Sequence, residues 1–131
     1  MSEQSPEQKK VLVVDDNAIN RRLAIAFLSR LGLQAQEAED GPTALERLRA
    51  GSFDIVLLDI SMPGMSGEEV LAVLRADTRF SGLPVIAYTA HALPDEKQRL
   101  LDAGFDELLI KPITFKAVED ALVACFSKSV G

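Results

Sequence analysis

A run of large apolar residues that ends in an acid and a turn constrains this chain more than any other feature. Residues 53–59 read Phe-Asp-Ile-Val-Leu-Leu-Asp, and four consecutive aliphatic residues are typical of a strand buried on both faces. Met62-Pro63-Gly64 then interrupts regular structure, because proline lacks an N–H donor and glycine is conformationally free. Asp59 is therefore predicted at the carboxyl end of a buried strand, where open α/β sheets form their ligand crevices.

Apolar runs and helical stretches alternate along the whole chain. Residues 10–16 form a second apolar run that ends in acid, and Asn17 is placed to cap the helix that follows. Ser66 and Glu69 have the spacing of a capping box, which predicts the start of another helix. The five strands are predicted within 10–16, 33–39, 53–59, 83–89 and 105–110, and the five helices within 18–31, 42–51, 66–76, 94–103 and 114–127.

This alternation predicts the fold class. Strands that alternate with helices form a parallel sheet covered on both faces, because right-handed crossovers place helices on each side. Eight units would be needed to close a barrel, so the chain is predicted to be α/β, an open three-layer α/β/α sandwich. Residues 10–127 are predicted to form this domain, residues 1–9 a disordered arm or linker, and residues 128–131 a short tail.

Composition argues against several classes of partner. The net charge of −6 disfavours direct binding to nucleic acid, whose phosphates demand a basic surface. No apolar run is long enough to span a bilayer, and the polar N-terminus has no signal-peptide core. The single Cys125 cannot form an internal disulfide and lies in an apolar helical stretch, so we expect a buried thiol and a cytoplasmic location.

Polar residues stand at four of the predicted strand ends, and the carboxyl ends of parallel strands share one edge. Asp15 and Asp16 end the first strand, Asp59 the third, Thr89 the fourth, and Lys111 follows the fifth. Alone, each has an ordinary explanation, since aspartates favour turns and caps and lysines are usually exposed. Together, three neighbouring carboxylates must bind protons or a cation, and a dense cluster of oxygens suits Mg²⁺.

Phosphoryl transfer is the chemistry that this set of residues favours. An ionised aspartate beside Mg²⁺ can attack phosphorus, and the phosphoryl oxygens then need fixed positive charge and donors. Asp59 stands alone at the central strand and is the better nucleophile, whereas the adjacent Asp15 and Asp16 are better metal ligands. Lys111 and Thr89 are predicted to contact the phosphoryl group.

Four motifs, in order, resemble the receiver domain of two-component response regulators over about residues 10–127. Residues 15–20 and 89–92 are similar to those of receivers attached to hybrid sensor histidine kinases. The resemblance implies a flavodoxin-like sheet of order 2-1-3-4-5. It also implies transfer of a phosphoryl group to Asp59 from a histidine kinase or a histidine phosphotransfer domain, with a conformational change that controls a partner or an attached output. The four motifs are Val13–Asn17, Leu57–Gly67, Tyr88–Ala90 and Lys111–Ile113.

The resemblance further implies which residues hold the cofactor and the phosphoryl group. Thr89, Ala90 and Lys111 are expected to bind phosphate and to act as switch residues. Ser61 and His91 flank the site and are expected to tune the attack of water on the acyl phosphate. The metal, Mg²⁺ or Mn²⁺ in its place, is expected to be held by Asp15, Asp16, Asp59 and the backbone carbonyl of Ser61.

Two features concern the switch. The peptide bond before Pro112 is expected to be cis, a geometry that costs little only before proline. Receivers usually carry tyrosine or phenylalanine three residues before the lysine, but Leu108 stands there in this chain, and the nearest aromatic residues are Phe105 and Tyr88. Phosphorylation is expected to change the conformation of residues 89–103, and a phosphorylation-dependent dimer is a further expectation.

The first helix is the expected docking face for the phosphodonor. Apolar positions at spacings of three and four follow this helix, and part of this stripe must also pack on the sheet. These positions are Ile19, Leu23, Ala26, Phe27 and Leu31. The expected docking residues are Ile19, Asn20, Leu23 and Ala24.

The sequence leaves two other functions open. A phosphohydrolase of the haloacid dehalogenase type would need Asp-x-Asp, whereas Asp15 and Asp16 are adjacent and Asp59 is followed by Ile60. A pseudo-receiver that only binds partners stays open because Leu108 replaces the switch aromatic, although the intact acidic set argues against it. The leading hypothesis is a phosphoacceptor signalling domain that is not an enzyme for other substrates.

Overall fold

Five strands and five helices alternate along the chain, as the sequence predicts. The computed structural model describes residues 9–90 and 93–130, with side chains described up to Phe126. The strands are β1 (Lys10–Val14), β2 (Gln34–Ala38), β3 (Ile55–Asp59), β4 (Val85–Thr89) and β5 (Glu107–Ile110). The helices are α1 (Ala18–Arg30), α2 (Gly41–Ala50), α3 (Gly67–Ala76), α4 (Pro94–Ala103) and α5 (Phe115–Val130).

The five strands form one parallel sheet of order β2-β1-β3-β4-β5, which confirms the predicted order. β3 lies at the centre, and every one of its residues is buried. β2 lies at an edge, and only one of its five residues is fully buried, as its weak alternation predicts. The central position of β3 follows from its composition, because a strand covered on both faces needs an unbroken apolar run.

The two faces of the sheet form two separate cores. Leu12 and Val14 of β1 face the core that contains buried residues of α2, α3 and α4. Val11 and Val13 face the core that contains buried residues of α1 and α5. Cys125 belongs to this second core and is buried, as expected. Alternation along each strand therefore determines which helix layer every side chain contacts.

Local sequence determines where three helices begin. The Asn17 side chain accepts hydrogen bonds from the N–H groups of Ile19 and Asn20 at 2.9 and 3.1 Å. Ser66 and Glu69 form the reciprocal capping box that their spacing predicts. In α5, the N–H of Ala117 donates to Oγ1 of Thr114 at 3.1 Å. These contacts satisfy donors that a helix N-terminus would otherwise leave unpaired.

The ends of the domain differ slightly from the prediction. Lys9, placed in the N-terminal arm by the sequence, already accepts a hydrogen bond from the N–H of Gln34 at 2.9 Å. The rest of that predicted arm, residues 1–8, lies outside the described residues. The backbone of α5 continues to Val130, three residues beyond the predicted end. None of the helices in the described part of the chain is long and apolar enough to cross a membrane.

The buried face of α1 agrees only in part with the apolar spacing, since Phe27 and Leu31 are partly buried against the core but the other three positions are not. Ala24 and Leu28 are the fully buried residues of this helix, whereas Ile19, Leu23 and Ala26 are exposed. The helix has many apolar residues around its circumference, so spacing alone selects no single face. Packing of the helix between the sheet and α5 makes this choice.

A single arginine ties together the loops at the amino ends of β4 and β5. The Arg75 guanidinium donates to the carbonyl oxygens of Leu83 and Gly104 at 2.7 and 2.9 Å, and to Oδ2 of Asp106 at 3.1 Å. The same Asp106 oxygen accepts the N–H of Val85 at 2.8 Å. These bonds anchor the start of the two strands whose other ends reach the polar edge of the sheet.

Candidate functional site

Four polar side chains from four strand ends converge at one edge of the sheet. Asp59 is the last residue of β3, Thr89 the last residue of β4, and Asp15 and Lys111 follow β1 and β5. Asp15, Asp59 and Thr89 are 0, 1 and 2% exposed, so three polar groups lie inside the protein at this edge. Strand order explains the convergence, because β1 and β4 flank β3 and β5 lies beside β4.

Lys111 binds both buried carboxylates. Its Nζ lies 3.2 Å from Oδ2 of Asp59 and 3.5 Å from Oδ2 of Asp15. Its backbone N–H donates to the carbonyl of Thr89 at 2.8 Å, and the bond between Lys111 and Pro112 is cis. One ammonium thus faces two carboxylates, which leaves a net negative charge in a place that water barely reaches.

The Asp59 carboxylate is held on both of its oxygens. The N–H of Ser61 donates to Oδ1 at 3.0 Å, while Oδ2 faces Lys111. The loop after Asp59 is anchored as well, since the N–H of Ile60 donates to the carbonyl of Tyr88 at 3.2 Å. The orientation of the Asp59 side chain is therefore determined before any ligand binds.

The two oxygens of Asp15 differ, because Oδ2 has only the Lys111 ammonium beside it, at 3.5 Å. Oδ1 accepts the N–H of Asn17 at 2.8 Å, whereas Oδ2 is buried and accepts no hydrogen bond from any described residue. Burial raises the pKa of Asp15, and the neighbouring charge of Asp59 raises this pKa further, against the lowering effects of Asn17 and Lys111. The ionised form of Asp15 is therefore costly in the absence of a cation.

The acidic cluster fits a divalent cation. Asp15, Asp16 and Asp59 each offer an oxygen, and these oxygens lie within 4.8 Å of one another. Asp16 is exposed, so the cluster opens towards solvent on that side. The buried Asp15 oxygen that lacks a donor and the all-oxygen set match what Mg²⁺ prefers, namely a few carboxylates with the remaining positions filled by water or phosphate.

The structure describes three of the four other predicted site residues. Ser61 and Ala90 are exposed, and they follow the strand ends at Asp59 and Thr89 by two residues and one residue. His91 lies outside the described residues. Leu108 is half-buried, pairs with Ala87 across β4 and β5, and packs against the core of α2, α3 and α4.

The expected docking residues of α1 separate into two groups. Ile19 and Leu23 are 74 and 37% exposed, and Asn20 is half-buried, so all three can contact a partner. The prediction for Ala24 is wrong, because this residue is fully buried in the core between the sheet and α1 and α5.

Arg21 is a site neighbour that the sequence analysis missed. Its Nη1 donates to the backbone carbonyl of Asp15 at 2.7 Å, and its Nε donates to Glu37 of β2 at 2.6 Å. The signal available in the sequence was a pair of arginines one helical turn after Asp16, but nothing in the pattern distinguishes Arg21 from Arg22.

Comparison with known proteins identifies the family. The sequence model of the response regulator receiver domain matches residues 11–123. The chain belongs to this family. Sensor histidine kinase RcsC of Escherichia coli is 46% identical over 114 residues, which cover 86% of this chain and 12% of RcsC. Chemotaxis protein CheY of Pseudomonas aeruginosa is 37% identical over 123 residues, which cover 93% of this chain and 99% of that protein.

Solved structures lead to the same family and fold. The structure of the chemotaxis response regulator CheY4 of Vibrio cholerae has a TM-score of 0.85 and 28% identity to this receiver domain, and the match covers 90% of this chain and 98% of CheY4. The predicted family, the flavodoxin-like fold and a role in phosphorelay signalling are thereby confirmed over the phosphohydrolase and pseudo-receiver alternatives. The receiver domain spans only 12% of the length of RcsC, so it is comparable to one segment of that kinase.

Proposed function

We propose that this receiver domain accepts a phosphoryl group on Asp59 from a phosphohistidine, in a reaction that requires Mg²⁺, or Mn²⁺ in its place. The donor would be a histidine kinase or a histidine phosphotransfer domain. One observation carries the proposal: a single ammonium, that of Lys111, faces two buried carboxylates, and Oδ2 of Asp15 accepts no hydrogen bond in the described part of the chain. Such a set is short of positive charge, which a divalent cation would supply.

Asp59 supplies the nucleophile. A carboxylate oxygen of Asp59 forms a bond to phosphorus as the bond from phosphorus to the donor imidazole nitrogen breaks, and that nitrogen keeps the electron pair. The product is an aspartyl phosphate and a neutral histidine. The hydrogen bond from Ser61 and the contact with Lys111 hold the carboxylate in place. Little orientational freedom of the Asp59 side chain therefore has to be lost during the reaction.

The remaining residues neutralise charge on the phosphoryl oxygens. The Lys111 ammonium moves from its carboxylate partners to a phosphoryl oxygen, and the Thr89 hydroxyl and the loop at Ala90 donate to the others. Bound Mg²⁺ would supply further positive charge. Its ligands would be Asp15, Asp16, Asp59 and the backbone carbonyl of Ser61, with the Asp15 oxygen that lacks a donor as one contact.

The proposed activity is confined to the domain itself. The exposed Ser61, together with His91 by its place in the sequence after Thr89, would control the access of water and thereby the lifetime of the acyl phosphate. A phosphoryl group on Asp59 that accepts a hydrogen bond from Thr89 would shift residues 89–103 and alter binding of a partner, a second copy or an attached output. The domain is in this sense a phosphoacceptor signalling module and not an enzyme that turns over other molecules.

The test is phosphorylation of the domain itself. Incubation with Mg²⁺ and radiolabelled acetyl phosphate, or with a phosphorylated histidine phosphotransfer domain, should give one label per chain that resists acid and is released by base. The label should be absent from Asp59→Asn and should not form in the presence of a chelator. A wild-type protein that stays unlabelled, or an Asp59→Asn variant that takes label equally well, would overturn the proposal.

The exposed part of α1 is proposed as the docking surface for the donor. Ile19 and Leu23 place apolar surface beside the acidic edge, and α1 begins two residues after Asp16. Ile19→Ser combined with Leu23→Ser should slow transfer from a phosphotransfer domain by about tenfold, because burial of these two side chains stabilises the complex.

Two comparisons make this test specific. Labelling of the double variant by acetyl phosphate, which needs no docking, should stay at the wild-type rate. Val123→Ser on α5 removes a comparably exposed apolar side chain and should leave both donors unaffected. Equal slowing with both donors would place the defect in the reaction and not in docking.

A further inference from the structure

Tyr88 is a buried aromatic residue directly beneath the site. It is the only tyrosine of a chain that contains no tryptophan, and it is 1% exposed. Its ring lies in the core between the sheet and α1 and α5, whereas Leu108 packs in the core on the other face. The centroid of the Tyr88 ring is 4.7 Å from Nζ of Lys111.

We propose that Tyr88 is a positioning residue for Lys111, whose ring face holds the ammonium at the edge where the phosphoryl group binds. The proposal deepens the function proposed above and rests on it. Tyr88 directly precedes Thr89 and differs from the position of Leu108, where receivers usually carry their aromatic residue.

The chemistry of lysine explains why a positioning residue is needed. The lysine ammonium is a point charge at the end of a flexible four-carbon chain, and it lacks the planar donor geometry of an arginine. Its position therefore depends on the groups that surround it. The Asp15 and Asp59 carboxylates attract it from one side, at 3.5 and 3.2 Å. When the Lys111 ammonium moves to a phosphoryl oxygen, its contacts with the two carboxylates weaken. The negative face of the Tyr88 ring continues to attract the ammonium.

The backbone connects the ring to the nucleophile. Tyr88 and Asp59 are register partners in neighbouring strands, and the Tyr88 carbonyl accepts the N–H of Ile60 at 3.2 Å. Lys111 in turn is bound through its backbone to Thr89. The backbones that carry the ring, the nucleophile and the lysine are therefore hydrogen-bonded to neighbouring strand ends.

Three variants test the proposal. Tyr88→Leu removes the ring but keeps an apolar side chain, and Tyr88→Phe keeps the ring without the hydroxyl. Phe105→Leu removes a buried aromatic residue of the opposite core. Each is titrated with beryllofluoride, an unreactive analogue of the phosphoryl group, at saturating Mg²⁺. Affinity for Mg²⁺ and the melting temperature are measured alongside.

Tyr88→Leu should bind beryllofluoride about threefold to thirtyfold more weakly, the range expected for loss of one ring–cation contact. Its affinity for Mg²⁺ should stay within about twofold, since the acidic cluster is intact. Tyr88→Phe should restore beryllofluoride affinity, and Phe105→Leu should lower the melting temperature without affecting either affinity. Unchanged beryllofluoride affinity in Tyr88→Leu, or a loss in Phe105→Leu that equals it, would overturn the proposal.

A second measurement uses the wild-type protein and does not depend on how well a variant folds. Because Tyr88 is the only tyrosine, its near-ultraviolet circular dichroism band should change when beryllofluoride with Mg²⁺ draws the ammonium towards a new anion. A band that stays constant through saturation would overturn the proposal for Tyr88 alone. A wild-type protein that neither binds beryllofluoride nor takes label from acetyl phosphate would instead overturn the proposed function, and the role of Tyr88 with it.

Discussion

Asp15→Asn is expected to raise the melting temperature of the metal-free protein and to abolish its stabilisation by Mg²⁺. The Asp15 carboxylate is fully buried beside Asp59, its Oδ2 accepts no hydrogen bond from the described residues, and its pKa is raised mainly by burial. Asparagine has nearly the same shape but carries no charge. Removing the charge should stabilise the metal-free fold by about 1–3 kcal/mol, the usual penalty of an unsatisfied buried polar group.

The same substitution should remove the response to metal. Mg²⁺ at one hundred times its dissociation constant stabilises a protein with one site by about 2.7 kcal/mol. We expect this gain in the wild-type protein and almost none in Asp15→Asn, because a buried ligand of the proposed site is lost. Phosphorylation by acetyl phosphate should fall by at least about a hundredfold, the loss typical of a missing electrostatic contact in phosphoryl transfer.

Thermal unfolding in chelator and in excess Mg²⁺ measures both effects. Asp102→Asn is the matched control, since Asp102 is exposed and the substitution removes the same charge far from the acidic cluster. It should respond to Mg²⁺ like the wild-type protein. A lower melting temperature of metal-free Asp15→Asn, or an undiminished gain with Mg²⁺, would contradict our account of the cluster.

Gly67→Ala is expected to destabilise the fold and to slow phosphorylation together. An added Cβ would lie 2.5 Å from the carbonyl oxygen of Asp59 and 2.7 Å from Cα of Ile60. Both neighbours are backbone atoms of the loop that carries the nucleophile, so no side chain can rotate away. Relief requires α3 to move from the end of β3, at a cost of about 1–3 kcal/mol or more for overpacking.

Gly82→Ala is the matched control for this prediction, because nothing lies within 4 Å of an added Cβ there. Urea unfolding should show a lower midpoint for Gly67→Ala than for the wild-type protein and nearly no change for Gly82→Ala. In the absence of urea, where Gly67→Ala is folded, its labelling by acetyl phosphate should still be slower than that of the wild-type protein, since the Asp59 backbone is displaced. A Gly67→Ala variant with normal stability and normal labelling would show that α3 moves without affecting the site.

The sequence alone predicts the sheet and the edge at which its polar residues collect. Apolar runs of strand length alternate with helical stretches, and a parallel sheet has one edge for all its carboxyl ends. From these two facts Asp15, Asp59, Thr89 and Lys111 are placed together, although they are spread over nearly a hundred residues. Residue type and strand end are local properties, so they can be read without knowledge of packing.

Tertiary structure decided the asymmetry between neighbouring residues. Asp15 is buried and Asp16 exposed, and on α1 Ala24 is buried while Ile19 and Leu23 are exposed. The two aspartates have the same chemistry, and the three α1 residues are all apolar. Which of them is buried depends on the direction of the loop after β1 and on the rotation of α1 against the sheet. This rotation explains why Ala24 was wrongly predicted to contact a partner.

Contacts between distant residues were the other property that only the tertiary structure decided. Tyr88 lies under Lys111 although 23 positions separate them, and Arg75 reaches Gly104 and Asp106 across another strand and helix. The amino-acid sequence determined which groups could act at the edge of the sheet, because strand ends and side-chain chemistry are local. It left open which groups hold them in place, because the reach and direction of a long side chain depend on the atoms packed around it.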